Sequence, residues 1–312
     1  MVGYTRSYGA GYNDILLLKY DQQGNLIWNK TWGGSDFERG HGVAVDNSGY
    51  IYVTGFTCSY GAGYEDAVLL KYTPDGTLIW SETWGGTDDD RGNGVAIDYF
   101  GYIYVTGTTY SYGAGNSDVF LLKYYPNGSL VDSRTWGGSG SDESHGIAVG
   151  SGCIYVTGGT FSYGAGGSDV FLLKYDISGN LIQNKTWGGS GSDTGYGIVF
   201  NPYSGYIYVT GTSGSDVFLL KAVDLVERYK PLFIFHHEEE YLPVVFDAMI
   251  DQGFVINPND NTTVDYGDKK VKYAKIVEAN PSPDRLDDPD INKESYQLTF
   301  DPDIKSNRNS AS

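Results

Sequence analysis

The sequence predicts an all-β fold, a β-propeller of four-stranded blades, on three observations. The tryptophan of a TWGG motif recurs at Trp32, Trp84, Trp136 and Trp187, at spacings of 52, 52 and 51 residues. Each period holds four short stretches of strand character. Tight-turn chemistry separates them, as in "DNSG", "TPDG" and "YPNG". A period near fifty with four strands per unit is the pattern of propeller blades, and nothing between the turns has helical periodicity.

The four strands of a unit, a to d, differ in ways that order them from the centre outward. In the second unit strand a is "GVAVD" from Gly42, b is "YIYVTG" from Tyr50, c is "AVLLKY" from Ala67 and d is "LIWSETW" from Leu78. Strand a is built of small residues that fit a crowded centre. Strand c is apolar almost throughout, as expected for a strand covered on both faces. Strand d carries a charge at one fixed position, Lys30, Glu82, Arg134 and Lys185, which protects an outer edge against pairing with another sheet. An aspartate opens each strand c, at Asp14, Asp66, Asp118, Asp169 and Asp216, where it is expected to fix the turn by accepting backbone N–H groups. Lys19, Lys71, Lys123, Lys174 and Lys221 recur within strand c and are expected to pair with a carboxylate or to snorkel.

The array occupies residues 1–222 as strands b, c and d of one blade, three complete blades, and a, b and c of another. That is about four to five blades with incomplete terminal ones. Such an array either closes by pairing its ends or is an arc of a larger propeller, and an arc leaves apolar faces exposed. The opening "MVGYTRSYGAG" matches "YVTGFTCSYGAG" from its third residue, so the chain enters in mid-repeat and reads as a fragment.

Composition narrows the function classes. The 312 residues are 40% hydrophobic and 15% aromatic, enough for a real core. Lys and Arg number 21 against 39 Asp and Glu, a net charge of −18, which argues against nucleic acid as a partner and favours cations or basic groups. Cys58 and Cys153 lie at different phases of repeats two periods apart, so no disulfide is expected between them. No apolar run approaches the roughly 20 residues that span a bilayer, and no signal peptide precedes the first repeat.

Propeller topology brings the d-to-a and b-to-c connections to one rim. Glu38, Asp90, Asp142 and Asp193 share one phase there and are candidate ligands for calcium, a hard cation that takes oxygen donors. Three residues on, His41, Asn93, His145 and Tyr196 stand at the entry to the innermost strands. The "SYGAG" loops add Tyr8, Tyr60, Tyr112 and Tyr163. Together they predict an acidic, tyrosine-rich rim for a protein or glycan ligand. The plainer alternative is that the acids cap turns and the glycines permit positive φ. Asn29, Asn127, Asn184 and Asn261 begin N-glycosylation sequons.

The stretches "TWGGSGSDTGYGIVF", "GYIYVTGTT" and "SDVFLLKYDISGNLI" resemble the SBBP beta-propeller repeat family over residues 1–222. Trp stands where that family is expected to have Leu, an ordinary core exchange. The resemblance implies an extracellular or cell-surface protein. After Lys221 the repeat stops, and residues 223–300 read as a C-terminal domain or part of one, followed by a disordered tail over 301–312. Residues 229–250, containing "YKPLFIFHHEEEYLPVVFDAMI", resemble the start of a vacuolar-protein-sorting-related domain of unknown activity. His236, His237 and Glu238 to Glu240 lack HExxH spacing and read as a solvated charge run.

The expected function is a non-enzymatic binding module, since no nucleophile elbow, P-loop or distinguished carboxylate pair is present. The enzyme alternative is a polysaccharide hydrolase or lyase using the rim acids with His41 and His145. A purely structural surface-layer element is the third reading.

Overall fold

The computed structural model describes residues 1–223, 233–235, 263–266 and 269–272 of the chain. Unit 1 covers residues 1–240 and unit 2 residues 241–312.

In unit 1 the repeat folds into five antiparallel sheets in which consecutive strands pair. Blade I has three strands, β1 (Val2–Thr5), β2 (Asp14–Tyr20) and β3 (Leu26–Trp32). Blade II comprises β4 (Glu38–Val45), β5 (Ile51–Thr57), β6 (Asp66–Tyr72) and β7 (Leu78–Trp84). Blade III comprises β8 (Asp90–Ile97), β9 (Ile103–Thr109), β10 (Asp118–Tyr124) and β11 (Leu130–Trp136). Blade IV comprises β12 (Asp142–Gly150), β13 (Cys153–Thr160), β14 (Asp169–Asp176) and β15 (Leu181–Trp187). Blade V comprises β16 (Asp193–Phe200), β17 (Tyr206–Ser213) and β18 (Asp216–Val223), joined by β19 (Phe233–Phe235).

Two features differ from the sequence reading. The innermost strands begin four residues earlier than predicted, at Glu38 and its equivalents rather than at Gly42. Each carries a bulge, the register shifting between Gly40 and Gly42, Gly92 and Gly94, Ser144 and Gly146, and Gly195 and Gly197. The Gly-rich, charged start of the strand has no apolar alternation to show it in sequence. The second difference is β19, which pairs with β18 where the repeat had ended without a strand d.

The core lies between sheets. Tyr52, Ala67 and Leu69 of blade II pack on Val105, Phe120 and Leu122 of blade III, and Tyr104, Val119 and Leu121 of blade III pack in the same way on Val156, Phe171 and Leu173 of blade IV. Strands b and c are thus covered on both faces, while strand d is mostly exposed. Lys19, Lys71 and Lys123 of strand c tie neighbouring blades together. Lys19 Nζ donates to the Pro74 carbonyl and Lys71 Nζ to that of Pro126, both at 3.0 Å, and Lys71 also lies over the rings of Tyr50 and Tyr52. The partner of Lys71 is therefore a carbonyl and an aromatic face.

The described sheets form an open series, with none joining blade V to blade I. Tyr20 and Val217 on the outer faces are 43% and 61% exposed, whereas Tyr72 and Val170, at the same phases inside the array, are 3% and 2% exposed. Cys58 and Cys153 are free thiols. In unit 2 the described residues form one hairpin of β20 (Thr263–Tyr266) and β21 (Lys269–Lys272). No helix among the described residues is long and apolar enough to cross a membrane.

Candidate functional site

The four acids of the predicted rim are buried. Glu38, Asp90, Asp142 and Asp193 are 0 to 3% exposed, each as the first residue of an innermost strand. Backbone and hydroxyl donors meet each of them, while Asp90 Oδ1 is buried without a partner. Gly34 N–H donates to Glu38 Oε2 at 2.8 Å and Gly138 N–H to Asp142 Oδ2 at 2.8 Å. Ser162 Oγ adds a bond of 2.6 Å to Asp142, and Thr160 Oγ1 another. The acids therefore brace the TWGG turn. Each stands at its own junction rather than facing the others, and among the described residues no three His, Cys, Asp or Glu side chains gather as a metal site.

Each of these acids has a second acid beside it, the aspartate that opens strand c of the preceding blade. Asp118 Oδ2 accepts Ala114 N–H at 2.8 Å and Gly115 N–H at 3.1 Å. This gathers the SYGAG loop, whose Gly113 has φ 116° and suits only glycine. The first glycine of TWGG separates the two carboxylates. A Cβ on Gly137 would lie 2.1 Å from Asp118 Oδ1 and 2.6 Å from Asp142 Oδ2. Burial, and then the neighbouring Asp142 charge, push the Asp118 carboxyl above its usual range; Asp66 and Asp169 shift upward for the same reasons beside Asp90 and Asp193.

His41, Asn93, His145 and Tyr196 occupy the bulges, and the structure brings them into one row along the inner edge. Within a bulge the extra residue is left out of the ladder, so its side chain turns to the next blade. His41 Nδ1 lies 3.1 Å from the Gly92 carbonyl and 3.2 Å from Asn93 Oδ1. Asn93 Nδ2 donates to the Ser144 carbonyl at 2.8 Å, and the rings of His145 and Tyr196 are 5.1 Å apart. Desolvation by the surrounding strands holds both imidazoles below the usual histidine range.

The loop tyrosines also work between blades. Tyr60, Tyr112 and Tyr163 pack on Trp32, Trp84 and Trp136 of the preceding blade, with centroids 5.1 to 5.2 Å apart. Their hydroxyls donate to the carbonyls of Gly33, Gly85 and Gly137 at 3.4, 3.0 and 2.8 Å. Tyr8 has no preceding blade to meet among the described residues and is 74% exposed. Tyr112→Phe is expected to lower stability by about 1 kcal/mol, read from the urea midpoint; an unchanged midpoint would mean that the bond to Gly85 contributes nothing.

A cavity of about 400 Å³ opens where blades II and III meet the rim. Its walls include Phe37, Phe56, His41 and Cys58, with Arg39, Arg91 and Glu65 as the charged groups. Arg91 is held by Glu65 and by Asp89, at 2.8 Å from the latter. Both guanidiniums lie 5.9 Å from the centroid of the Phe56 ring. Burial pushes the Cys58 thiol up to about 11, so it stays protonated at neutral pH. Sequence reasoning missed this cavity. Its signal was departure from the repeat, since the phase of Arg39 and Arg91 holds Glu143 and Thr194 in later blades.

Among the sequons, Asn29 lies in β3, Asn184 in β15 and Asn127 in the turn before β11, all exposed. Asn261, His236, His237, Glu238 to Glu240 and the tail 301–312 lie outside the described residues.

Four-stranded antiparallel sheets stacked in chain order define a β-propeller-type repeat protein. The SBBP family model, described as "Beta-propeller repeat", matches residues 79–113, and one described as "Domain of unknown function (DUF5122) beta-propeller" matches residues 101–130. Regulatory protein FlaEY of Caulobacter vibrioides is 27% identical over 114 residues, which are 32% of this chain and 12% of that protein. The chain therefore matches only a small part of that relative's length. Among solved structures, the periplasmic gluconolactonase PpgL of Pseudomonas aeruginosa is 11% identical with a TM-score of 0.49, over 75% of this chain and 67% of that one. The Dos1 propeller is 13% identical with a TM-score of 0.45, over 73% of this chain and 54% of that one.

Proposed function

We propose that the chain is a binding module whose ligand, a protein or a glycan, docks on the inner rim formed by the bulge residues and the neighbouring loops. One observation carries this reading. The residues that pack blades together repeat from unit to unit, whereas the bulge row reads His41, Asn93, His145, Tyr196 and the residue two places earlier reads Arg39, Arg91, Glu143, Thr194. Variation along the inner edge of a rigid scaffold is how such folds carry specificity.

A non-catalytic role fits the chemistry of the same groups. The acids that would serve a hydrolase accept backbone and hydroxyl donors in buried positions, and His41 bonds a carbonyl and an amide rather than a carboxylate. Exposed Asn29, Asn127 and Asn184 fit the extracytoplasmic setting that the repeat resemblance implies.

The test is a screen of the full chain on glycan and peptide arrays, followed by titration of each hit against His41→Ala, Asn93→Ala and His145→Ala. Saturable binding that weakens by about three- to tenfold in each variant, as for contacts of about 0.5–1.5 kcal/mol, is expected. Turnover of a polysaccharide that His145→Ala abolishes would replace this reading with catalysis, and no saturable ligand would leave a structural element.

A further inference from the structure

The repeat makes each blade a control for the next, and by that standard Arg39 lacks its counter-ions. Arg91, at the same phase one blade later, is neutralised by Glu65 and Asp89. The phases of those two acids in the preceding unit hold Asn13 and Phe37. Arg39 accordingly forms no ion pair among the described residues, and its Nε is buried without an acceptor. Asn13 is 0% exposed, and its Nδ2 is also buried without an acceptor. The other amide atom of Asn13 is engaged, Oδ1 accepting Arg6 Nε at 2.9 Å.

Two orphan donors at one blade junction call for an acceptor, because a buried polar group without a partner is costly. Aromatic rings surround them, Phe56 almost fully buried and Phe37 partly exposed and stacked on Tyr12. The Arg39 guanidinium lies 4.9 Å from the Tyr4 ring centroid and 5.9 Å from that of Phe56. Phe37 and Phe56 line the adjoining cavity, whose volume of about 400 Å³ lies within the size range of small-molecule sites. In a chain of net charge −18, an unpaired guanidinium set among aromatic rings is a selective place for an anion.

We infer that the Arg39 end of this cavity binds a ring-bearing organic carboxylate, its carboxylate accepting from Arg39 and its ring lying against Phe37 and Phe56. A guanidinium and a carboxylate match as planar, paired donors and acceptors. The inference rests on the binding reading above and names a ligand class for one part of the same rim.

The experiment is calorimetric titration of the full chain with benzoate, with N-acetylphenylalanine, and with benzamide as the uncharged shape control. Both carboxylates are expected to bind saturably, at least tenfold tighter than benzamide. A tighter benzoate points to a free acid and a tighter N-acetylphenylalanine to a peptide C terminus; either supports the site. Arg39→Met should weaken both at least tenfold. Asn13→Glu should do the same with melting temperature at or above wild type, since it supplies the counter-ion that Arg91 already has in Glu65. Equal binding of benzoate and benzamide, or carboxylate binding untouched by Asn13→Glu, overturns the inference. Array ligands that bind the rim while benzoate and N-acetylphenylalanine do not would sink this site and leave the binding reading standing.

Discussion

Phe120→Ala is expected to destabilise the array by about 3–5 kcal/mol, the usual range for deleting a buried aromatic side chain. Phe120 is 0% exposed. Its ring lies over Gly107, the cross-strand partner in β9, and meets Trp84 of the preceding blade at 4.7 Å between centroids. Truncation would therefore open a cavity at the blade II–III junction, where each sheet covers the core of the other. Urea unfolding followed by tryptophan fluorescence reads the loss directly, because Trp84 lines the same junction. A cost below about 1 kcal/mol would mean that the junction collapses around the missing ring, and that the blades are less rigidly stacked than their contacts imply.

Asp118→Asn is expected to stabilise the chain at neutral pH by about 1–3 kcal/mol, somewhat below the roughly 4 kcal/mol of repulsion between unit charges about 4 Å apart at an effective dielectric of about 20. The amide keeps an oxygen for Ala114 and Gly115 and presents N–H to Asp142 across Gly137. The pH dependence has a definite sign. Burial and the Asp142 charge raise the Asp118 carboxyl above its unfolded value, so the folded state binds the proton more tightly. Its contribution is fully present below the unfolded value, near 4, and is lost as pH rises through the folded value. The advantage of Asp118→Asn over wild type should accordingly grow from pH 4 to pH 7, a difference in which the opposing shifts of His41 and His145 cancel. Paired thermal melts at the two pH values measure it. Loss of stability at pH 7, with an advantage that does not grow, would show instead that Asp118 acts as a fully ionised cap.

Much of this was legible in the residues. The 52-residue spacing of Trp32, Trp84 and Trp136 gave the blade, and the contrast between "AVLLKY" and "LIWSETW" placed strand c inside and strand d outside. The row of His41, Asn93, His145 and Tyr196 was also visible as a phase. The fate of the neighbouring acids was not. Asp142 meets its donors at Gly138, Thr160 and Ser162, and the last two lie some twenty residues away in the chain. Tyr112 reads as a free loop aromatic until Trp84 and the Gly85 carbonyl are set against it.

The sequence by itself determined the period, the strand order within each blade, and the side chains at each phase, because turns and hydrophobic alternation are local properties of a chain. The tertiary structure decided which phases face solvent, which acids sit side by side across Gly137, and which guanidinium is left without a counter-ion. These depend on how one sheet stacks on the next, so the same phase can be a buried brace, a paired charge or an open site according to what the preceding blade presents.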